Sequence, residues 1–365
     1  MLNTNASNKS PRGNFFEDFS LGQVFHHATP RSVSEGDASL YIALTGARQI
    51  LHSAQPVAHA MGYRGRTIDD LLAFHIALGK TVPDISINAI ANLGYAQVQF
   101  VRPIYAGDTI SAKSTVIGLK QNSDGKSGIV YVQCEAINQD HQVVISWVRW
   151  VMVRKNNLSA PAPETVLPKL SDVVEASHLQ IPNDVEYQDF DTAMTGSQFL
   201  WDDYQAGEQI NHPSGMTIDE SDHTLATKLY QNPARLHFDA SKSTYGKRLV
   251  FGGHIMSVCR ALSYEGLENA LSIAAINGGA HCNPTFGGDT IYAHSEVLDK
   301  WEIPNHKDVG ALRLRLVGVK GQPLRFLSEA SSIIDGKKTY HPNVVLDLDY
   351  TCLLYTSDAA DDTPC

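Results

Sequence analysis

The chain has 365 residues, 43% of them apolar, and a formal net charge of −10. That length exceeds what one hydrophobic core usually supports, so two domains are expected. The acidic balance excludes the basic footprint of a nucleic-acid partner, and no apolar run approaches the roughly 20 residues of a membrane helix.

The stretch Met1 to Asn14 is polar and lacks the apolar core of a secretory signal. Five scattered cysteines, Cys134, Cys259, Cys282, Cys352 and Cys365, are odd in number and show no CxxC spacing. They argue against a disulfide framework and against a zinc site, and with the polar start they point to a cytoplasmic protein.

In chain order, an irregular entry leads to a predicted helix over Glu35 to Thr45 with Ser34 as its N-cap. A loop through His52 follows, then an apolar helix over Asp69 to Gly79. Asp69 and Asp70 at its start read as capping and dipole partners rather than as a catalytic pair. Strands are predicted over Ala96 to Phe100, Asp108 to Gly118, Gly128 to Asn138 and Val143 to Arg154, the last two rich in β-branched and aromatic residues. Residues 156–198, with Ala160-Pro161-Ala162-Pro163, have the composition of a linker.

The order then repeats. Phe16 to His52 lies over Trp201 to His237 without a gap, with every position 185 residues from its counterpart. Tyr63 and Arg66 face Tyr245 and Arg248, and Gly107 to Ile110 face Gly288 to Ile291, after small deletions in loops. A second pair of helices is predicted over Glu220 to Tyr230, capped by Asp219, and over Gly253 to Glu265. One apolar helix wrapped by an antiparallel sheet, twice over, is an α+β double hotdog: residues 13–155 form one unit and 199–350 the other. Residues 351–365 read as a non-native tail outside the fold, since Leu354 to Cys365 is mostly small, polar and acidic.

Several segments carry a family resemblance. Arg102-Pro103-Ile104-Tyr105-Ala106-Gly107-Asp108-Thr109 and its echo Asn283 to Thr290 match a strand entry of MaoC-like hydratases. Phe74 to Ala96, Ser146 to Lys155 and Leu229 to Ala240 together resemble the mesaconyl-CoA hydratase branch, over roughly Gly13 to Tyr350. The resemblance implies a hydro-lyase, without a metal or other cofactor, that interconverts β-methylmalyl-CoA and mesaconyl-CoA plus water. It implies an acyl-CoA partner and is compatible with a homodimer.

MaoC-like hydratases place an Asp five positions before a catalytic His, with Gly opening the central helix. The second half keeps His237, has Asn232 at the Asp position and Gly252-Gly253 at the helix start; the first half keeps His52 but has Ala47 and Asp70-Leu71 there. The second half is therefore expected to be catalytic and the first a scaffold. His237 is the proton shuttle, because its ordinary pKa lies near working pH. Gly253 N–H is the donor to the thioester oxygen, and Asn232 orients water. Arg235 and His254 are candidates for a substrate carboxylate, with Asp239 and Gly252 beside the substrate. The alternatives are a broader (R)-specific enoyl-CoA hydratase and a non-catalytic acyl-CoA-binding protein, the latter because an amide cannot exchange a proton as a carboxylate does.

Overall fold

In the computed structural model, which describes residues 9, 12–182, 185–187, 190–327, 329–334 and 336–357, each half opens alike. β1 (Val24–Ser32) leads into helix α1 (Glu35–Thr45), where Ser34 accepts from Asp37 N and Asp37 reaches back in a capping box. Two short helices follow, α2 (Ile50–Ser53) and α3 (Gln55–Ala60), and then α4 (Asp70–Thr81), whose residues from Leu71 onward are all buried. Four strands close the half: β2 (Ala89–Phe100), β3 (Thr109–Gln121), β4 (Ser127–Ile137) and β5 (Val143–Arg154). Burial alternates along β4 because successive side chains leave a strand on opposite faces.

The second half runs β6 (Gln209–Thr217), α5 (Glu220–Leu229), α6 (Gly252–Leu262), β7 (Ala270–His281), β8 (Thr290–Ile303) and β9 (His306–Lys320). A small hairpin, β10 (Ser331–Ile334) with β11 (Lys337–Tyr340), precedes the closing strand β12 (Val344–Tyr355). Where the first half has α2 and α3, the second has only tight turns at Arg235–His237 and Ala240–Lys242. Asp219 stands at the start of α5 but makes no capping hydrogen bond, unlike Ser34.

The duplication extends to individual bonds. Buried His27 bonds Ser114 Oγ at 2.8 Å, and buried His212 bonds Ser295 Oγ at 2.8 Å. Arg66 pairs with Glu35 as Arg248 pairs with Glu220. Asp108 accepts from Tyr105 N and Asp289 from Phe286 N.

The strands form one ten-stranded antiparallel sheet in the order β1-β3-β4-β5-β2-β7-β12-β9-β8-β6, the first five mirrored by the last five. The join is β2 with β7, where Tyr95 lies opposite Gly279 and Val98 opposite Ile276. Helices α4 and α6 meet across this join, and His75 of one bonds Ser257 of the other at 3.0 Å.

Two sequence expectations change here. β12 runs on through Tyr355, and Thr351 to Tyr355 are buried and paired with Arg313 to Val309 of β9. The fold thus reaches past Tyr350, because Cys352, Leu353 and Leu354 complete the strand's apolar faces; residues 358–365 of the expected tail lie outside the described residues. The 156–198 segment is also more than a spacer. Val174, Leu179, Val185, Tyr187 and Phe190 join a cluster with Leu51, Tyr63, Leu353 and Tyr355. At roughly 1.5–3 kcal/mol for a fully buried large apolar side chain, such anchors fix the segment to the fold.

Candidate active site

Each half brings a histidine to the start of its central helix, His52 on the short helix α2 and His237 in a tight turn. In the second half His237 is buried, and its Nδ1 lies 2.8 Å from the Leu249 carbonyl. A carbonyl only accepts, so Nδ1 carries the proton and Nε2 presents a bare lone pair. Burial lowers the His237 pKa to about 4, against the opposing pull of that carbonyl. The ring is therefore a neutral base at ordinary pH.

No side chain caps α6, whose N-cap is Phe251, so the first amides of Gly252 and Gly253 keep their donor capacity. The glycines are required for packing. A Cβ on Gly252 would stand 2.6 Å from His281 Nδ1, and one on Gly253 would stand 2.4 Å from the Phe251 ring and 2.8 Å from His75. The Phe251 ring lies 5.5 Å from that of His237 and 5.6 Å from that of His75. Among the described residues, Nδ1 of His254 and of His281, buried near this helix, lack hydrogen-bond partners, and burial lowers the pKa values of His75, His254 and His281 to about 3, 4 and 4.

The other nominated residues scatter. Asn232 is buried, its Oδ1 accepts from Ala234 N at 3.0 Å, and its backbone lies against Gly79 of α4. Arg235 is exposed. Asp239 is exposed too, and its carboxylate caps the next turn through Ser241 N and Oγ. His254 is buried in the first turn of α6.

The first half is built differently. Asp69 caps α4 through Leu71 N and Leu72 N, as expected of it. Asp70 does not cap: its carboxylate accepts from Ile273 N of β7 at 2.7 Å and lies 3.6 Å from His52 Nε2. The other ring nitrogen of His52 bonds Thr67 Oγ1 at 2.8 Å. Burial disfavours the His52 charge, yet Asp70, with help from Asp69, holds its pKa above the ordinary value. Burial pushes the Asp69 carboxyl up.

Beside this pair lies a two-part cleft. A small inner pocket is lined by Gln49, His52, Asp69, Asp70, Arg260 and the start of β7. An outer cleft runs past Tyr63, Thr67, Phe100 and Gln180, and Asp70, Ser272 and Ile273 line both parts. Sequence reasoning missed Arg260 and Ser272, which reach this place from the other half. The available signal was a single cation inside the otherwise apolar run Ile255 to Leu262.

The comparisons with known proteins agree with this architecture. A family model described as mesaconyl-CoA hydratase matches residues 3–325. The chain is 53% identical over 351 residues to a β-methylmalyl-CoA dehydratase of Chloroflexus aurantiacus, covering 95% of this chain and 99% of that one. It is 50% identical over 346 residues to a mesaconyl-CoA hydratase of Cereibacter sphaeroides, again covering 95% and 99%. A crystal structure of a putative MaoC domain dehydratase from Chloroflexus aurantiacus superposes with a TM-score of 0.92 at 52% identity, over 96% of this chain and 99% of that one. A Mycobacterium tuberculosis protein described as a double hotdog matches in fold at a TM-score of 0.75 and 23% identity, over 94% and 98%. With one half mirrored on the other, a histidine beside each central helix and these relatives along nearly its whole length, the chain belongs to the mesaconyl-CoA hydratase family.

Proposed function

We propose that this protein is a hydro-lyase interconverting β-methylmalyl-CoA and mesaconyl-CoA plus water. The observation that carries the reading is the 53% and 50% identity, across 95% of the chain, to proteins bearing those two activities in their names.

The reaction needs donors for the thioester oxygen as enolate character develops, a base for the water that attacks C3, and an acid that protonates C2. In the second half, the bare Nε2 of His237 serves as the base and the uncapped amides of Gly252 and Gly253 as the donors. Asn232 holds the 232–234 turn that carries His237, and His254 is a polar group close to the same helix start. Arg235 and Asp239, being exposed, are left for the outer part of the CoA ester.

The test is turnover. Mesaconyl-CoA incubated with the protein is expected to lose its enoyl absorbance and to gain the mass of one water, with a single stereoisomer as product. Faster hydration of crotonyl-CoA would mark a broader enoyl-CoA hydratase instead. Tight binding without water addition would mark a non-catalytic acyl-CoA-binding protein.

A further inference from the structure

The first half's cleft is built by both halves, and its polar groups are buried and incompletely partnered. Arg260, in the last turns of α6, is 4% exposed. Among the described residues its guanidinium makes one hydrogen bond, at 3.4 Å to Ser263 Oγ, and lies 5.8 Å over the Tyr350 ring; Asp69 and Asp70 favour its charge from beyond ion-pair distance. A guanidinium carries five N–H donors in a fork that fits a carboxylate, and a buried one left so open is costly unless something meets it. Gln49 lines the same inner pocket, and its buried Oε1 has no partner. His52 and Asp70, 3.6 Å apart, line the same pocket.

We infer that this cleft between the halves is a second acyl-thioester locus, in which Arg260 receives a free carboxylate on the acyl group beside His52 and Asp70. The inference rests on the acyl-CoA reading above but not on the assignment of chemistry to His237. Its geometry favours a short acyl chain ending in carboxylate. The inner pocket is small, Arg260 is the guanidinium among its lining residues, and the outer cleft past Tyr63 and Phe100 adjoins it through Asp70, Ser272 and Ile273. The same arrangement selects against an unbranched fatty acyl group, which would leave the guanidinium buried and unmet.

Succinyl-CoA, which has a carboxylate but neither the double bond nor the hydroxyl needed for turnover, is the probe, and butyryl-CoA is its control without the carboxylate. Calorimetric titration of the full chain should show Arg260→Gln weakening succinyl-CoA at least tenfold while butyryl-CoA changes less than twofold. Arg260→Lys should recover part of the loss. His237→Ala should leave binding at this cleft in place. Because Arg260 is buried, Ser272→Phe provides an independent arm: it fills the cleft from β7 without removing a charge and should also weaken succinyl-CoA, with the melting temperature checked in each variant. Succinyl-CoA binding that is unchanged in Arg260→Gln and Ser272→Phe, both folded, would overturn the inference. A parent that binds succinyl-CoA through Arg260 yet never hydrates mesaconyl-CoA would support the locus while removing the activity reading.

Discussion

His237 and His52 occupy corresponding places in the repeat, yet their surroundings shift their pKa values in opposite directions. His237, lowered to about 4, is neutral with a free Nε2, whereas Asp70 raises the His52 pKa above its ordinary value. If the second half carries the chemistry, His237→Ala lowers kcat by a factor of roughly 10² to 10⁴, the usual cost of losing a general acid/base, while His52→Ala retains most of it. Equal losses in both folded variants would move the reaction to the cleft or share it between the halves. Asn232→Ala should reduce turnover less than His237→Ala, and should lower stability by about 1 kcal/mol through loss of the bond to Ala234 N. Asn232→Asp keeps that acceptor and should remain active. The sequence made both histidines, Asn232 and the helix-opening glycines legible, because spacing along a repeat survives translation into space. It could not make Arg260 legible as a partner of His52, since that proximity depends on which strand lies beside which across the join.

At the scale of elements, the central helices show why one glycine is indispensable for a reason unrelated to helix propensity. Gly79 lies in α4, where exchange to Ala ordinarily stabilises by about 1 kcal/mol. Here a Cβ would come within 2.2 Å of the Tyr230 carbonyl oxygen. That oxygen is backbone and cannot swing away, so Gly79→Ala should destabilise by roughly 1–3 kcal/mol, the usual cost of overpacking, as read from chemical denaturation. It should also displace the loop bearing Asn232 and thus reduce second-half activity without touching a reacting group. The central helices and the strands β3, β4 and β5 were readable from periodicity, β5 on its expected residues, whereas β1, α2 and α3 fall in stretches read as an irregular entry and a loop. The end of β12 was not readable in this way, because Thr351 to Tyr355 take their burial from β9 and the 156–198 segment rather than from any alternation of their own.

The whole molecule is set to lose stability in acid. Burial holds His75 at about 3 and His212, His237, His254 and His281 at about 4, whereas each would titrate near 6.5 in the unfolded chain. Between those values the unfolded chain binds more protons than the folded one, so stability falls as pH falls, by up to about 1.4 kcal/mol per pH unit for each histidine. His52 runs the other way: its raised pKa contributes stability that is present below 6.5 and is lost as pH rises through the folded value. With His294, whose pKa burial also lowers, these rings outnumber His52, so the melting temperature should drop steeply from pH 6.5 to 4.5 in calorimetry. A flat profile across that window would show that these rings are not buried neutral.

The meeting of β2 with β7 at the centre of the sheet has one more consequence. Two identical subunits joined at this line would be obliged to change together, since any substitution would alter both members at once. A single gene encoding both members breaks that obligation. One helix can begin with Asp69-Asp70 and the other with Phe251-Gly252-Gly253, and each residue is answerable only to its own neighbours. Asymmetry of this kind is inaccessible to a true twofold pair, and it lets one chain keep two unlike helix entrances on either side of the same seam.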